Sequence, residues 1–333
     1  MATIRDVAKR ANVAKSTVSN VFSKKKEISK ELTDKILKAA RELNYRPNYF
    51  ASTLATKRSR VIGVSFNTDT TSSTDFHQNM IRGILSVCDE CNYYLLINPS
   101  GKKRKHFFPV DGEIILNPET YESDSNDAIK RVWVGAPPLN EKEGAFHVDN
   151  DNVHIGYMVT DFLIKTGVTT LCFLNSQETR TYAKERKNGF DQAIHEQGHL
   201  VKRYRHDFLE EDDPQDFAYQ IAKEELIQGT SQGFITDSDI MAKGVYRAAY
   251  ECGRRIPEDV SVIAICSALN TSDVFQPSLT VVELNELRLG QRAAQLLIDL
   301  IEDKSEQTSN NQQIESFIKV MESTRSFPQK TKK

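Results

Sequence analysis

The 333-residue sequence predicts an all-α head of three short helices followed by a larger α/β core with parallel sheets. Apolar residues recur with a helical period in the first part of the chain, whereas short apolar runs alternate with helical periods from Val61 onward. The charge is also divided, because residues 1–60 hold 15 Lys and Arg against 5 acidic residues and carry +10, while the remainder carries −12. A basic N-terminal segment followed by an acidic remainder indicates that the N-terminal segment binds a polyanion.

The head contains three predicted helices. Apolar residues spaced i, i+3, i+4 and i+7 from Ile4 predict the first helix, which starts at Thr3 and Asp6 in a capping-box-like pattern. A break at Asn12 precedes a second apolar stripe, and a third, longer helix follows Ser29. Two short helices joined by a tight turn, with a third beside them, are typical of a helix-turn-helix motif.

The core contains seven predicted strands separated mostly by predicted helices. This alternation indicates parallel sheets covered by helices on both faces. About 270 residues are more than one hydrophobic core usually holds, so the sequence predicts two α/β lobes. A ligand site is expected at the strand ends or between the lobes. The predicted strands are 61–64, 94–97, 113–116, 132–134, 170–174, 233–235 and 260–265, and the predicted helices lie near 76–91, 152–166, 182–198, 215–228, 238–252 and 286–303.

Motifs for catalysis or metal binding are weak. His195 and His199 match the H-E-x-x-H string of zinc proteases, but Gly198 should end the helix before His199 can share the face of His195. Cys88 and Cys91 lack a second ligand pair, so we expect them to pack on an amphipathic helix. The sequence has no nucleophile elbow, phosphate loop or dinucleotide fingerprint. We therefore expect no catalytic residue, metal ion or cofactor.

The N-terminal segment and the cysteines predict the cellular compartment. The chain runs straight into charged residues without the apolar core of a signal peptide, and no apolar run is long enough to span a bilayer. The 5 cysteines are an odd number, which favours reduced thiols over a disulfide framework. We expect a cytoplasmic protein.

A long and specific set of motifs runs through the head. It comprises Thr-Ile-Arg-Asp-Val-Ala at 3–8, Ser-Thr-Val-Ser at 16–19 and Leu-Asn-Tyr-Arg-Pro-Asn at 43–48, followed by Ala51 and Leu54. Weaker motifs continue at 110–115, 148–150, 186–190, 239–242, 256–263 and 322–324, the last of which resembles a closing strand. On these residues the sequence resembles the LacI/GalR family of bacterial transcription regulators over essentially its whole length.

The resemblance implies a domain organisation. The helix-turn-helix head would occupy 1–46, a hinge helix or linker 47–59, and an effector-binding and dimerisation core 60–333. This core would be two-lobed and periplasmic-binding-protein-like, with an N-lobe of 60–148 and 284–306 and a C-lobe of 149–281 and 314–326. The chain would cross between the lobes near 148–150, 281–284 and 305–314.

The resemblance also implies a function. It indicates a sequence-specific DNA-binding transcriptional regulator, most simply a repressor, that acts as a homodimer on a pseudo-palindromic double-stranded operator and responds to a small-molecule effector. Two alternatives from other classes are a solute-binding protein that shares the core and an enzyme that uses it. The basic head and the missing export signal disfavour the first, and the missing catalytic motifs disfavour the second.

The second helix of the head is expected to enter the major groove. Family position and helical geometry place Lys15, Ser16 and Asn20 on base edges, while the short hydroxyls of neighbouring residues suit phosphates. A hinge helix that forms only on the operator would insert Leu54 into the minor groove. The predicted DNA-binding residues are Thr3, Lys15, Ser16, Thr17, Ser19, Asn20, Tyr45, Asn48, Ala51 and Leu54.

The effector is expected at Asp149 and at four residues that match family pocket positions, which are Phe76, Arg186, Phe208 and Asp239. An aromatic face with Arg donors and Asp acceptors suits a sugar ring. Arg186 suits a phosphate or carboxylate equally, so a sugar phosphate stays open. The alternative for Arg186 and Asp239 is a structural ion pair between the lobes.

Four departures from the family pattern bear on these expectations. Segment 98–109 is too short for the usual crossover helix, which predicts a trimmed N-lobe. Cys266 and Ser267 stand where acidic residues are typical, and Gly135 stands where many relatives carry Asp. Ala14 replaces the usual serine N-cap of the second helix, which weakens the start of that helix by about 1 kcal/mol.

Overall fold

The computed structural model of the chain contains two compact units, residues 1–59 and residues 60–333. Four predicted binding residues, Asn48, Ala51, Leu54 and Phe208, lie outside the described residues, as do most of the predicted hinge and segment 99–108. The structure describes residues 2–23, 28–45, 58–66, 74–98, 109–116, 118, 129–138, 144–176, 180–197, 201–205, 213–266, 274–304 and 309–327.

The first unit contains three helices, α1 (Ile4–Ala11), α2 (Lys15–Ser23) and α3 (Lys30–Glu42), in its described part. Asn12 ends α1 in the left-handed conformation, at φ 52°, and turns the chain toward α2. The three helices share one apolar core, which consists of Val7, Ala8, Ala11, Val18, Ile36, Ala39 and Ala40. The predicted helix-turn-helix arrangement is therefore confirmed.

The second unit alternates strands and helices. The predicted elements are present with ends that differ by at most two residues, and five strands that the sequence did not predict join them. In chain order the elements are β1 (Val61–Ser65), α4 (Thr74–Glu90), β2 (Tyr94–Asn98), β3 (Gly112–Leu116), β4 (Lys130–Val134), β5 (Phe146–Asn150), α5 (Asn152–Lys165), β6 (Thr170–Leu174), α6 (Thr181–Gln197), β7 (Val201–Arg205), α7 (Pro214–Ile227), β8 (Gly233–Thr236), α8 (Asp239–Glu251), β9 (Ser261–Ala264), β10 (Thr280–Glu283), α9 (Glu286–Ile301), β11 (Asn311–Ile314) and β12 (Phe317–Lys319).

These strands form two six-stranded sheets, each of which defines one lobe. The first sheet has the order β11-β5-β4-β3-β1-β2, and its pairs are parallel. The second has the order β12-β10-β9-β8-β6-β7 and is parallel except for β12, which pairs antiparallel with β10. The predicted two-lobed α/β core with parallel sheets is confirmed.

The two faces of the second sheet carry separate apolar cores. Leu171 and Phe173 of β6 pack with α5 and α6, while Cys172 and Leu174 of the same strand pack with α7 and α8. A strand buried on both faces shows a continuous apolar run, which is why β6 was recognisable in the sequence. In the first lobe, the described helices α4 and α9 share one apolar cluster with the sheet, and Cys88 lies in it.

Three helix pairs pack through glycines at very short range. A Cβ at Gly156 of α5 would lie 1.9 Å from the backbone oxygen of Arg186, and one at Gly189 of α6 would lie 1.9 Å from the backbone oxygen of Val153. Gly83 and Gly290 make the same reciprocal contact between α4 and α9, and Gly244 of α8 approaches α7 in the same way. The absence of a side chain at each position lets the helix backbones touch.

The chain crosses between the lobes three times, after β5, after β10 and after β11. The side-chain amide of Asn150 links all three crossings, because it donates to the backbone oxygens of Leu284 at 3.0 Å and Ile314 at 2.9 Å. The third crossing lies at Glu315 and Ser316, later than the expected 305–314, because the polar edge strand β11 still belongs to the first sheet.

The segment 322–324, expected as a closing strand, forms a turn instead, and the closing strand is β12. Ser323 explains the difference, since its hydroxyl donates to the Val262 oxygen at 2.6 Å and accepts from the Thr280 N–H at 2.8 Å. The turn thereby holds the start of β10 against β9. No helix in the described part of the chain is long and apolar enough to cross a membrane.

Candidate functional site

Helix α2 presents a polar face beside its buried one. Val18 is fully buried in the core of the head, whereas Lys15, Ser16 and Ser19 are exposed. Thr17 and Asn20 are half-buried. Because residues three or four positions apart share a face of a helix, Ser16, Ser19 and Asn20 form one polar strip, and Lys15 lies one turn before Ser19 at its N-terminal end.

The first turn of α2 has no capping side chain at Ala14. The backbone oxygen of Ala14 accepts hydrogen bonds from the N–H groups of Thr17 at 3.0 Å and Val18 at 3.3 Å. These backbone contacts start the helix, and the N-terminal N–H groups of α2 stay directed toward its exposed end. Such an end suits a phosphate group.

Two other predicted DNA-binding residues have structural contacts within the head. The Asp6 carboxylate accepts hydrogen bonds from the Thr3 backbone N–H and hydroxyl, both at 2.8 Å, and the backbone bond is the main reason that the pKa of Asp6 is lowered. The ring of Tyr45 packs edge to face on Phe22, with centroids 5.6 Å apart, and burial raises the pKa of Tyr45. Tyr45 thus fixes the end of α3 against α2.

A second polar site lies at the carboxyl edge of the second sheet. Leu174, the last residue of β6, pairs in register with Thr236 of β8, which pairs in turn with Ala264 of β9. The residues that follow these three strands therefore meet at one edge, where ligands bind in parallel α/β sheets. They include Ser176 after β6, Asp237 after β8 and Cys266 after β9.

Arg186 of α6 extends into this edge and pairs with Asp237. Its Nη1 donates to Asp237 Oδ1, and its Nε donates to Asn152 Oδ1 at 3.1 Å. The side chains of Arg186 and Asp237 are only 9% and 5% exposed. The hydroxyl of Ser176 donates to the other oxygen of Asp237, and the Arg186 guanidinium lies 4.8 Å from the centre of the Tyr182 ring. Arg186 is therefore held in one position from several sides.

The ion pair of Arg186 differs in both partner and place from the one that the sequence offered as the alternative to effector binding. The sequence suggested Asp239 and a pair between the lobes, but the partner is Asp237, and both residues belong to the second lobe. Asp239 is instead 3.6 Å from Lys243 on the next turn of α8. The difference arises because Asp237 is the first residue after β8, whereas Asp239 already starts the helix that Ser238 caps.

Asp149 joins this site to the lobe crossings. Its Oδ1 accepts hydrogen bonds from the Asn150 N–H at 2.7 Å and from Asn152 Nδ2 at 3.4 Å, and Asn152 in turn accepts from Arg186. Burial raises the pKa of Asp149 to about 7, with the negative charge of Glu185 contributing, and this outweighs the opposing hydrogen bond from Asn150 and the charge of Arg186. The carboxyl group is therefore partly protonated near neutral pH.

The raised pKa of Asp149 predicts a pH-dependent stability. The folded state binds a proton more tightly than the unfolded state, so this group stabilises the fold at low pH and loses that contribution as the pH rises from about 4 to about 7. We expect Asp149→Asn to flatten the dependence over this range in urea unfolding at pH 5, 6, 7 and 8. Asp161→Asn, which removes a carboxylate that pairs with Lys165 on the same helix, serves as the control. An unchanged slope in Asp149→Asn would contradict the assignment.

Cys266 and Asp239 lie together at the same sheet edge. Burial raises the pKa of the Cys266 thiol well above its usual value, and the negative charges of Asp239 and Glu286 add to this effect. The thiol is therefore neutral at physiological pH. It offers a compact apolar surface with a weak donor in place of a carboxylate.

Phe76 lies between the lobes. It packs against the apolar clusters of both the first and the second lobe, and its ring meets His77 edge to face with centroids 5.7 Å apart. His77 is stacked on Phe66, just after β1, at 5.4 Å. The first lobe thus contributes an aromatic group at the end of its first strand.

Of the described candidate residues, Asp149 and Arg186 are joined through Asn152, whereas Asp239 lies with Cys266 and Phe76 lies on the first lobe. The sequence did not identify Asp237, Ser176, Asn152 and Tyr182 as members of the site. Asp237 and Ser176 had a usable signal, because each follows a predicted strand of a parallel sheet. Asn152 and Tyr182 had no such signal.

Family models match two parts of the chain. Residues 3–48 match the model described as bacterial regulatory proteins, lacI family, and residues 160–324 match a periplasmic binding protein-like domain. The chain is also 31% identical over 325 residues to the HTH-type transcriptional repressor PurR of Pasteurella multocida, which covers 92% of this chain and 94% of that protein.

Solved structures show the same fold. The chain is similar to the lac repressor dimer bound to operator and the anti-inducer ONPF, with a TM-score of 0.77, 20% identity and coverage of 98% of this chain and 99% of that one. It is also similar to the complex of the transcriptional regulator CelR with cellobiose, with a TM-score of 0.66, 21% identity and coverage of 97% and 100%.

Proposed function

This chain belongs to the lacI family of bacterial regulatory proteins, and we propose that it is a DNA-binding transcriptional repressor whose affinity for its operator is set by a small molecule bound in the core. The resemblance stated from the sequence motifs is thereby confirmed. A regulator is favoured over a solute-binding protein or an enzyme because its relatives over nearly the full length are repressors.

The observation that carries the proposal is the exposed polar face of α2 in a strongly basic head. Val18 fixes the helix from behind, so Lys15, Ser16 and Asn20 reach outward from a rigid element. A helix of this width fits the major groove, where its N-terminal residues meet base edges. Thr17 and Ser19 are assigned to phosphates, as are Thr3 and Tyr45 at the ends of the head and Asn48 at the start of the hinge.

Lys15→Ala tests the assignment of base contact. The lysine ammonium can donate to guanine O6 and N7, a contact worth about 1 to 3 kcal/mol of discrimination, so the variant should lose base preference at one symmetric operator position. The measurement is selection of bound sequences from a randomised DNA pool, followed by mobility-shift titration against the upstream DNA of its own gene.

Lys38→Ala, which removes the same charge from the exposed surface of α3, is the matched control. It should weaken binding little and evenly across sequences. If Lys15→Ala also weakens binding by the same factor for all DNA sequences, Lys15 contacts a phosphate and not a base.

The effector is assigned to the polar edge of the second sheet together with Phe76 of the first lobe. Asp149, Arg186 and Asp239 would contact it, with Phe208 from the segment that follows β7. This placement is supported by the similarity to regulators solved with cellobiose and with ONPF, and by the polar groups gathered at the strand ends. Operator binding measured with a panel of sugars and sugar phosphates tests the assignment.

The remaining features of the proposal concern assembly and location. We assign a helix-turn-helix head to 1–46, a hinge to 47–59 with Ala51 and Leu54 at the minor groove, and a core that dimerises to residues 60–333. A homodimer matches the two-fold symmetry of a pseudo-palindromic operator, as in the lac repressor dimer bound to its operator. The target of the head is DNA, so the protein acts in the cytoplasm.

A further inference from the structure

The guanidinium of Arg186 is already engaged on several sides. Asp237 accepts from Nη1, Asn152 accepts from Nε at 3.1 Å, and the Tyr182 ring lies 4.8 Å from the guanidinium. The side chains of the ion pair are 9% and 5% exposed. A planar guanidinium uses the same N–H groups to bind a carboxylate of the protein or an anionic ligand, so the two compete for it.

The local charge also opposes an anionic ligand. Asp237 neutralises Arg186, and the acidic groups Asp149 and Glu185 lie close to each other near this pair, while Arg180 adds a positive charge near Tyr182. At the neighbouring strand end the charge of Asp239 is matched by Lys243, 3.6 Å away. An entering phosphate would place a second anion beside the Asp237 carboxylate, and two buried negative groups would then share one cation.

We infer that Asp237 determines the specificity of this site by closing Arg186 to anions, so that the small molecule controlling the protein is uncharged. The inference rests on the proposed function and decides between the sugar and the sugar phosphate that the sequence left open. Asp237 is a specificity-determining residue in this scheme because its carboxylate neutralises the buried arginine that an anionic ligand would pair with.

The groups around the pair suit a neutral ligand with neighbouring hydroxyls. Asp237 and Asp149 offer carboxyl oxygens as acceptors, and Ser176 offers a hydroxyl that both donates and accepts. A hydroxyl can donate to Asp237 without breaking its pair with Arg186. A phosphate monoester is mainly a dianion at pH 7.5 and has no hydrogen on its phosphate oxygens to donate. Hydrogen phosphate keeps one hydrogen but brings two negative charges against the Asp237 carboxylate.

The test uses inorganic phosphate as the probe on the full-length protein. Binding is measured by isothermal titration calorimetry at pH 7.5 for the wild type and for Asp237→Asn, which keeps the size of the side chain but frees the charge of Arg186. We expect no saturable binding by the wild type up to millimolar phosphate. We expect Asp237→Asn to bind phosphate at least tenfold more tightly, and the double variant Asp237→Asn with Arg186→Gln to lose that gain.

Asp216→Asn is the matched control, since it removes one carboxylate from a position that is 69% exposed on the same lobe. It should leave phosphate binding unchanged. If Asp237→Asn does not fold, Asp237→Ser replaces it, because serine keeps an acceptor at the same edge. Circular dichroism establishes the folding of each variant before titration.

Two results would overturn the inference: phosphate binding by the wild type that Arg186→Gln abolishes, or a folded Asp237 variant that gains no phosphate affinity. Failure of the proposed function would show differently. In that case the protein would not bind the upstream DNA in a mobility-shift assay, or its binding would not respond to any sugar of the panel. Either result is independent of the phosphate titration.

Discussion

Arg186→Met is expected to lower the free energy of unfolding by about 3 to 5 kcal/mol, because it leaves Asp237 as a buried carboxylate without its cation. Ser176 still donates to Asp237, but a single hydroxyl does not replace the charge. The measurement is urea unfolding followed by far-ultraviolet circular dichroism. The double variant Arg186→Met with Asp237→Leu should recover most of the loss, since both charges are then gone.

Arg247→Met is the matched control for this experiment. Arg247 forms an ion pair of similar type with Glu251, but the two side chains are 52% and 33% exposed. Pairs in contact with water contribute at most about 1 kcal/mol, so this variant should lose little stability. Equal losses in Arg186→Met and Arg247→Met would show that burial does not govern the Arg186 pair.

Gly156→Ala is expected to cost about 2 to 3 kcal/mol of stability, although alanine favours an isolated helix over glycine by about 1 kcal/mol. The added Cβ would lie 1.9 Å from the backbone oxygen of Arg186. A backbone oxygen cannot rotate away as a side chain can, so α5 and α6 must separate. Denaturant unfolding at pH 7 measures the loss.

Asn188→Ala is the control for the glycine variant, because Asn188 is exposed on α6 next to Gly189. It should change stability by no more than about 0.5 kcal/mol. Since Gly156 contacts the backbone of the residue that pairs with Asp237, separation of the helices should also shift Arg186. A Gly156→Ala variant as stable as Asn188→Ala would contradict the tight crossing.

The head was predictable because its signals are local. The helical spacing from Ile4, the turn at Asn12 and the burial of Val18 each depend on residues close in sequence, and the structure agrees with them. The central strands were predictable for a related reason, since burial on both faces favours a nearly continuous apolar run, as in β6 and β9.

Strand β11, one of the five strands that the sequence did not predict, lacks that signal. Strand β11 lies at the edge of its sheet and has the sequence Asn-Gln-Gln-Ile, of which Ile314 is the one buried residue, so neither an apolar run nor a clear alternation marks it. Its place in the first sheet depends on pairing with β5, more than 160 residues earlier, as Ile314 pairs with Asn150. The local sequence of β11 does not indicate a partner strand so far away in the chain.

The fold class, the family and the face of α2 that carries Lys15 follow from local signals, because periodicity and motif spacing act over a few residues. The partner of Arg186 depends on long-range pairing, since the register of β6, β8 and β9 brings Asp237 to it from 51 residues away. The pKa of Asp149 likewise depends on how much water the surrounding lobes exclude. Burial and charge pairing arise only when the sheet edge is assembled. There Arg186, whose side chain suits anionic ligands, is already paired with Asp237.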